Sequence, residues 1–286
     1  MDHPQAGGFV IPPARVQPCC LTIAGSDSGG NAGVQADLRA FHAYGLHGCT
    51  VFAALTAQTP FAVRAVLGVP ADFVAAQLDA VLEAYSVAAL KTGMLADPAV
   101  IEVVASRLAE HPSIAKVVDP VMVATSGAKL ISDDALVALK TGLLPLATVM
   151  TPNLPEAEVL LNRAPSAPRE ATGARAKDYA RALYDQFGVA VLVKGGHGQD
   201  AEAVDVLFDG KTFSAFTAPR VVRPVSTHGT GCSLAAALAA ELARGASLAD
   251  AVSGAKDYVH QAIEGAFWVG PACGVLGFVD KRRSDV

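Results

Sequence analysis

Short apolar runs rich in β-branched residues alternate with segments of helical periodicity through most of the 286 residues. The first such run, Cys19 to Ala24, ends at Gly25, and a helix is predicted from about Ala32 to Tyr44. Strands that alternate with helices predict a mostly parallel sheet covered on both faces, with right-handed crossovers. The pattern therefore indicates the α/β class, as a three-layer αβα sandwich.

One pair of predicted strands breaks this alternation. Asp209-Gly210 separates the β-rich runs Val204 to Phe208 and Thr212 to Phe216. A dipeptide of this kind between two β-rich runs is typical of a tight hairpin. The sequence thus predicts an antiparallel hairpin at one edge of the sheet.

Composition and charge exclude several classes of function. Apolar residues make up 52% of the chain, but no apolar run approaches the ~20 residues that span a bilayer. The net charge is −5 and no basic stripe is present, so neither a membrane nor a nucleic acid is expected as a partner. Five cysteines without CxxC spacing indicate free thiols and a cytoplasmic location. Residues 1–18, rich in Pro, Gly and Gln, are expected to form a flexible arm before a single domain at 19–286.

Polar clusters fall where the predicted strands end. In open parallel sheets the ligand lies beyond the carboxyl ends of the strands. The clusters follow Ala24, Leu55, Leu90, Val118, Met150 and Val193. This agreement between pattern and chemistry predicts an enzyme.

The run Ser226-Thr227-His228-Gly229-Thr230-Gly231-Cys232 leads into a predicted helix. Glycines before a helix leave backbone amides free to bind an anion, and the helix dipole favours negative charge there. The same field is expected to lower the pKa of Cys232. A glycine-rich turn with a small packing cysteine is the alternative. No Walker loop or zinc-ligand spacing occurs in the sequence.

Five further polar residues lie at or after the strand ends, with Asp37 one turn into the first predicted helix. Asp37 is either a solvated helix charge or a ligand for a substrate hydroxyl or amine, and Gln58 is either loop polarity or an amide that pairs with a heterocycle. Asn153 and Glu156 suit a hold on hydrated Mg²⁺, but a helix capping box explains them equally well. Lys194 is either a phosphate contact or a solvated lysine.

Eight segments in order resemble the hydroxymethylpyrimidine/phosphomethylpyrimidine kinase family of the ribokinase-like superfamily. They read LTIAGSDSGGNAGVQADL, LTAQTP, DFVAAQLD, KTGML, DPVMVATSG, TPNLPEAE, VLVKGGH and STHGTGC, and span Leu21 to Cys232. The first loop departs from the Pro-Ser-Gly-Gly-Ala-Gly run that the family often has, because Asn31 takes the place of a glycine. The ending from Trp268 to Gly274 matches the family only loosely.

The resemblance implies roles for particular residues. Asp37 and Gln58 would bind an aminopyrimidine, with Gly25, Met94 and Val121 as walls and backbone contacts. The catalytic set would be Gly229, Thr230 and Gly231 as an anion hole, with Cys232 facing the substrate hydroxyl. Asn153 and Glu156 would position Mg²⁺ and phosphates, and Lys194 would lie near the nucleotide phosphates. The family's usual homodimer is also implied.

The expected activity is ATP- and Mg²⁺-dependent phosphorylation of 4-amino-5-hydroxymethyl-2-methylpyrimidine and of its monophosphate, in thiamin biosynthesis. Pyridoxal kinase is the nearest alternative, because it uses the same fold and motifs. A non-catalytic ligand-binding protein on this scaffold is an alternative of another class. Turnover with each substrate distinguishes the first two, and tight binding of both ligands without turnover would indicate the third.

Overall fold

A computed structural model describes residues 17–122, 131–164, 172–196 and 202–282. Within these ranges eleven strands are present. They are β1 (Cys19–Gly25), β2 (His47–Thr59), β3 (Ala62–Gly68), β4 (Val87–Thr92), β5 (Ala115–Val118), β6 (Val149–Met150), β7 (Ala190–Val193), β8 (Glu202–Phe208), β9 (Phe213–Pro219), β10 (Phe267–Gly270) and β11 (Cys273–Val275).

Nine of these strands form one sheet in the order β3-β2-β1-β4-β5-β6-β7-β8-β9. The six strands from β2 to β7 are parallel neighbours. The predicted hairpin is confirmed as β8 and β9, which extend the sheet antiparallel beyond β7. The α/β class and the mostly parallel sheet predicted from the sequence are therefore confirmed.

The other edge of the sheet also ends in an antiparallel pair, which the sequence pattern did not predict. Strand β2 continues past the predicted strand end at Leu55 to Thr59, and β3 folds back against it. Nearly every residue of β3 is exposed. A strand without a buried face lacks the apolar alternation that a sequence-based assignment needs. The small pair β10 and β11 was missed too.

Eight α-helices are described. They are α1 (Gly33–Ala43), α2 (Ala71–Ala84), α3 (Pro98–Ala109), α4 (Asp133–Ala138), α5 (Leu154–Leu160), α6 (Thr172–Phe187), α7 (Thr230–Ala243) and α8 (Leu248–Glu264). Side-chain caps fix several helix starts, with Asp97 capping α3 and Ser132 capping α4.

The helices form two layers, each with its own apolar core. One core joins α2 to α6 with one face of the sheet, and the other joins α1, α7 and α8 with the opposite face. Strands β1, β5 and β7 contribute to both cores, which explains their nearly continuous apolar sequences. Because the six central strands are parallel, their carboxyl ends lie at the same edge of the sheet.

Most of the expected N-terminal arm, residues 1–16, falls outside the described ranges. The division of the chain at residue 18 stays a prediction. No helix in the described ranges has both the length and the apolar character needed to cross a membrane.

Candidate active site

Helix α7 begins at a glycine that no other residue could replace. Gly229, its N-cap, has φ +87°, in the left-handed region, and a Cβ there would lie 1.8 Å from the carbonyl oxygen of Asn31. No side chain of the described residues caps this helix, and the Thr230 amide bonds to the carbonyl of Thr227 at 3.4 Å. The amides of Gly231 and Cys232 in the same turn are the groups that could bind an anion.

The loop between β1 and α1 packs against this turn and is organised by Asp27. Its carboxylate accepts hydrogen bonds from the backbone amides of Gly29, Asn31 and Ala32, at 2.8, 3.0 and 2.9 Å. Burial works to raise the pKa of Asp27, but the hydrogen bonds from His228 and these amides outweigh it and lower the pKa. A charged, multiply bonded carboxylate thus holds the loop in place.

Gln58 is linked to this loop through His228. The Nε2 atoms of Gln58 and His228 are 3.5 Å apart, and His228 Nε2 is also 3.5 Å from Asp27 Oδ2. Thr56 Oγ1 donates to Gln58 Oε1 at 3.3 Å. The structure therefore places Gln58 beside the turn that precedes α7.

Gly25 and Met94 meet directly. The amide of Gly25 donates to the carbonyl of Met94 at 3.0 Å, and a Cβ on Gly25 would lie 2.4 Å from Met94 Cε. Val121 is half-buried beyond β5, and its amide donates to the carbonyl of Asp119 at 2.9 Å. Two of the three expected wall residues are thus in contact with each other.

Asp37 lies below the cleft. It is fully buried, its carboxylate forms an ion pair with the equally buried Lys91 at 2.9 Å, and it accepts a hydrogen bond from Thr22 Oγ1 at 2.6 Å. Burial raises the pKa of Asp37, although Lys91 and Thr22 act against this. A side chain without exposed surface cannot touch a ligand, so direct contact between Asp37 and substrate is not supported.

Cys232 occupies the first turn of α7 and is partly exposed. The expectation of a lowered pKa is wrong: burial raises the pKa of the thiol, helped by Asp37 and Asp119, while Lys91 lowers it. The loss of water around the sulfur and two nearby carboxylates thus disfavour the thiolate. The backbone of Gly33 provides a hydrogen bond that favours the thiolate.

Lys194 lies between two carboxylates and the α7 turn. Its ammonium is 2.8 Å from Asp119 Oδ1 and 3.9 Å from Glu156 Oε2. A Cβ on Gly231 would be only 3.6 Å from the same nitrogen. Burial lowers the pKa of Lys194, but Asp119 and Glu156 outweigh burial and raise it, so the lysine is charged. The structure thus brings together Lys194 and the predicted anion hole.

Asn153 and Glu156 form a capping box at the start of α5. Glu156 N donates to Asn153 Oδ1, and Asn153 N donates to Glu156 Oε2, both at 2.8 Å. The helix capping box, one of the two interpretations of these residues from the sequence, is therefore present. Burial, joined by Asp119, raises the pKa of Glu156 to about 7, while Lys194 acts to lower it. An additional cation nearby would favour its ionised form.

Asp119, Lys91 and His228 were not assigned as site residues from the sequence. Asp119 is 2% exposed and accepts hydrogen bonds from both Thr151 Oγ1 and Lys194 Nζ at 2.8 Å. Its place directly after β5, at a predicted strand end, was the available signal. Lys91 lies inside the apolar strand β4. Its partner, Asp37, could be identified only from the fold.

The arrangement suits transfer of an anionic group. The N-terminal turn of α7 and the Lys194 ammonium lie side by side, and both stabilise negative charge. Cys232 lies in the same turn, and the Asp119 and Glu156 carboxylates lie near the same ammonium. Such a site binds phosphoryl oxygens and aligns a donor with an acceptor.

Solved structures share this fold. The Bacillus subtilis pyridoxal kinase in its ADP complex superposes with a TM-score of 0.81 at 33% identity, covering 92% of this chain and 97% of that one. The Clostridium difficile 630 phosphomethylpyrimidine kinase gives 0.74 at 35% identity, covering 86% and 100%. The fold and the site thus define a ribokinase-like kinase, a phosphotransferase.

Sequence comparison narrows this class. The family model described as phosphomethylpyrimidine kinase matches residues 27–277. The hydroxymethylpyrimidine/phosphomethylpyrimidine kinase of Rhizobium meliloti is 50% identical, over 86% of this chain and 90% of the relative. That of Escherichia coli K12 is 44% identical, over 85% and 90%. The chain belongs to the phosphomethylpyrimidine kinase family.

Proposed function

We propose that this protein transfers the γ-phosphoryl group of ATP to the hydroxymethyl group of 4-amino-5-hydroxymethyl-2-methylpyrimidine, and then phosphorylates the monophosphate. The product would be the diphosphate used in thiamin diphosphate biosynthesis. One observation carries the proposal: the first turn of α7 lies beside the charged Lys194. A Cβ built on Gly231 would lie 3.6 Å from Lys194 Nζ. The Staphylococcus aureus pyridoxal kinase, a structural neighbour, binds ADP and AMP-PCP, which supports ATP as the donor.

In this proposal each part of the site contributes to charge neutralisation or alignment. The amides of Gly231 and Cys232 hold oxygens of the transferring group, and Lys194 neutralises negative charge on the nucleotide. Phosphoryl transfer passes through a loose transition state, so it requires alignment more than a strong base. Cys232 faces the acceptor hydroxyl and, in its thiolate form, accepts the hydroxyl proton as the new P–O bond forms, while the bond from the γ-phosphorus to the bridging oxygen breaks and ADP leaves.

The carboxylates near Lys194 fit a requirement for Mg²⁺. Asp119 and Glu156 supply the oxygen ligands that this ion prefers, directly or through water. Burial raises the pKa of Glu156 to about 7, and a bound cation would lower this pKa and favour the carboxylate. When bound, Mg²⁺ would neutralise phosphate charge, and Asn153 would hold the Glu156 backbone in place.

The aminopyrimidine would lie at the carboxyl ends of β1, β2 and β4. We propose that the Gln58 amide pairs with the ring, and that Gly25, Met94 and Val121 surround it. Asp37 would act from below, because its ion pair with Lys91 places charge under the pocket floor near Cys232.

Gln58→Ala should weaken pyrimidine binding by about 10- to 100-fold, because an unpaired polar group in a partly dry pocket costs roughly 1–3 kcal/mol. The affinity for an ATP analogue, measured by calorimetry without pyrimidine, should hardly change. Gln261→Ala is the matched control, since Gln261 is an exposed glutamine of α8. The reverse pattern, with nucleotide binding lost and pyrimidine binding kept, would mean that the acceptor lies elsewhere.

Pyridoxal is the second candidate acceptor. The B. subtilis and S. aureus pyridoxal kinases superpose on this chain with TM-scores of 0.81 and 0.82. The shared fold therefore does not distinguish a pyrimidine acceptor from pyridoxal. The relatives at 50% and 44% identity, which are hydroxymethylpyrimidine/phosphomethylpyrimidine kinases, favour the pyrimidine. Turnover of both acceptors by the same preparation tests the choice.

We further propose that the protein is a cytoplasmic homodimer. The edge hairpin of β2 and β3 supports a dimer, because it exposes Leu55, Val66 and Leu67 next to an unpaired strand edge. All five cysteines are free, which agrees with a reducing compartment.

A further inference from the structure

The three described residues that follow β7, Lys194 to Gly196, are each anchored. Lys194 N donates to the carbonyl of Pro152 at 2.8 Å. Gly195 N donates to Asp205 Oδ1 at 2.8 Å, and Gly196 O accepts from Arg220 at 2.8 Å. These bonds hold the backbone from which the Lys194 side chain reaches Asp119.

The anchor at Gly195 belongs to a buried ion pair. Asp205 lies on β8, opposite the turn across the antiparallel pair of β7 and β8. Its second oxygen, Oδ2, accepts from Lys256 Nζ at 2.8 Å. The two residues are 6% and 8% exposed. Lys256 comes from α8, so a single pair connects the turn, the sheet and a helix layer.

The two groups depend on each other. A buried carboxylate that accepts a backbone amide still needs a countercharge, because an unpaired buried charge is strongly disfavoured. Lys256 supplies that charge, and its own ammonium is bonded to Asp205. Removing either partner should therefore release the Gly195 amide.

We propose that Asp205 and Lys256 form a positioning pair for the nucleotide phosphates. The pair fixes the Gly195 backbone and, through it, the Lys194 ammonium between Asp119 and the α7 turn. The pair acts through the main chain, because Asp205 binds the Gly195 amide and Lys256 binds Asp205. The inference rests on the proposed function in one respect, the action of Lys194 on nucleotide phosphates.

The test compares Asp205→Ala, Lys256→Met and the double variant by steady-state kinetics. Asp205→Ala removes the oxygen that holds the Gly195 amide, and Lys256→Met removes the charge that pairs with the Asp205 carboxylate. Each single variant should raise the KM for ATP about tenfold or more, because small displacements of a positioned group are costly. The KM for the acceptor should stay within about twofold, the pattern of a loss confined to nucleotide binding.

Two further results are expected if the residues act as a unit. The double variant should resemble either single variant, since the second change removes nothing more. Lys256→Arg, which keeps the charge, should restore part of the ATP affinity. Asp257→Asn is the control, because Asp257 is the next residue of α8 and pairs with Lys281 at the surface. It should leave the KM for ATP unchanged.

Variants that melt earlier but keep the wild-type KM for ATP would overturn the inference, because the pair would then be structural only. Equal rises in both KM values would overturn it as well. Failure of the proposed function is distinguishable from these outcomes. A wild-type protein that prefers another acceptor would refute the pyrimidine assignment, but the ATP comparison between variants would still support or overturn the positioning role.

Discussion

Gly231→Val should leave the protein folded and reduce kcat by about 10²-fold or more, comparable to the loss of an oxyanion-hole donor. The side chain would project from the first turn of α7 toward Lys194, whose ammonium lies 3.6 Å from the Cβ position. Gly231 does not adopt a positive φ, and among the described residues beyond its own helical turn only the Nζ atom of Lys194 lies within 4 Å of its Cβ position. The substitution therefore adds volume without straining the backbone. The added methyl groups would occupy the space that the transferring group requires.

Steady-state kinetics with saturating substrates, together with thermal melting, would test this expectation. Gly173→Val is a suitable control, because a Cβ at Gly173, in the first turn of α6, meets nothing within 4 Å. The control should keep both its melting temperature and its kcat. A folded Gly231→Val protein with nearly normal kcat would show that this turn does not hold the transferred group.

Cys232→Ala should lower kcat by about 10²-fold, the lower end of the range for a group that transfers a proton in the transition state. The raised pKa of the thiol means that little thiolate is present in the free enzyme at neutral pH. A loose transition state demands little base strength, so the expected loss is modest for a catalytic residue. The KM values should change less than kcat.

Cys273→Ala is the matched control, since Cys273 is the other partly exposed cysteine and lies on β11. Its kinetics should equal those of the wild type. If Cys232→Ala instead raises KM and leaves kcat intact, the sulfur shapes the pocket and takes no part in the proton transfer. The two outcomes separate chemistry from packing at this position.

The buried parts of the fold were predictable because burial leaves a periodic pattern. The predicted runs Cys19 to Ala24 and Val204 to Phe208 correspond to β1 and β8, and the helix predicted from about Ala32 to Tyr44 corresponds to α1, each within about two residues. Strand β3 was missed because it is exposed along its length. Exposed structure is fixed by tertiary pairing, which a local pattern does not record.

The site was predictable to the extent that its groups come from the backbone. The glycines of the α7 turn follow from local geometry, and Gly229 indeed requires a left-handed conformation. Side-chain charges depend on partners far apart in the sequence. Asp37 was expected in the cleft, but Lys91, 54 residues away, holds it in the interior. Likewise Asp119 and Asp37 help raise the pKa of Cys232, which the helix position alone predicted to fall.

The central claim is that the acceptor is the hydroxymethylpyrimidine and the donor is ATP. Its most direct test is ADP release by the purified protein with 4-amino-5-hydroxymethyl-2-methylpyrimidine, its monophosphate and pyridoxal, side by side, with and without Mg²⁺. We expect Mg²⁺-dependent turnover of both pyrimidines, with kcat/KM values above that for pyridoxal. A higher kcat/KM for pyridoxal, or tight binding of ATP and pyrimidine without any turnover, would contradict the claim.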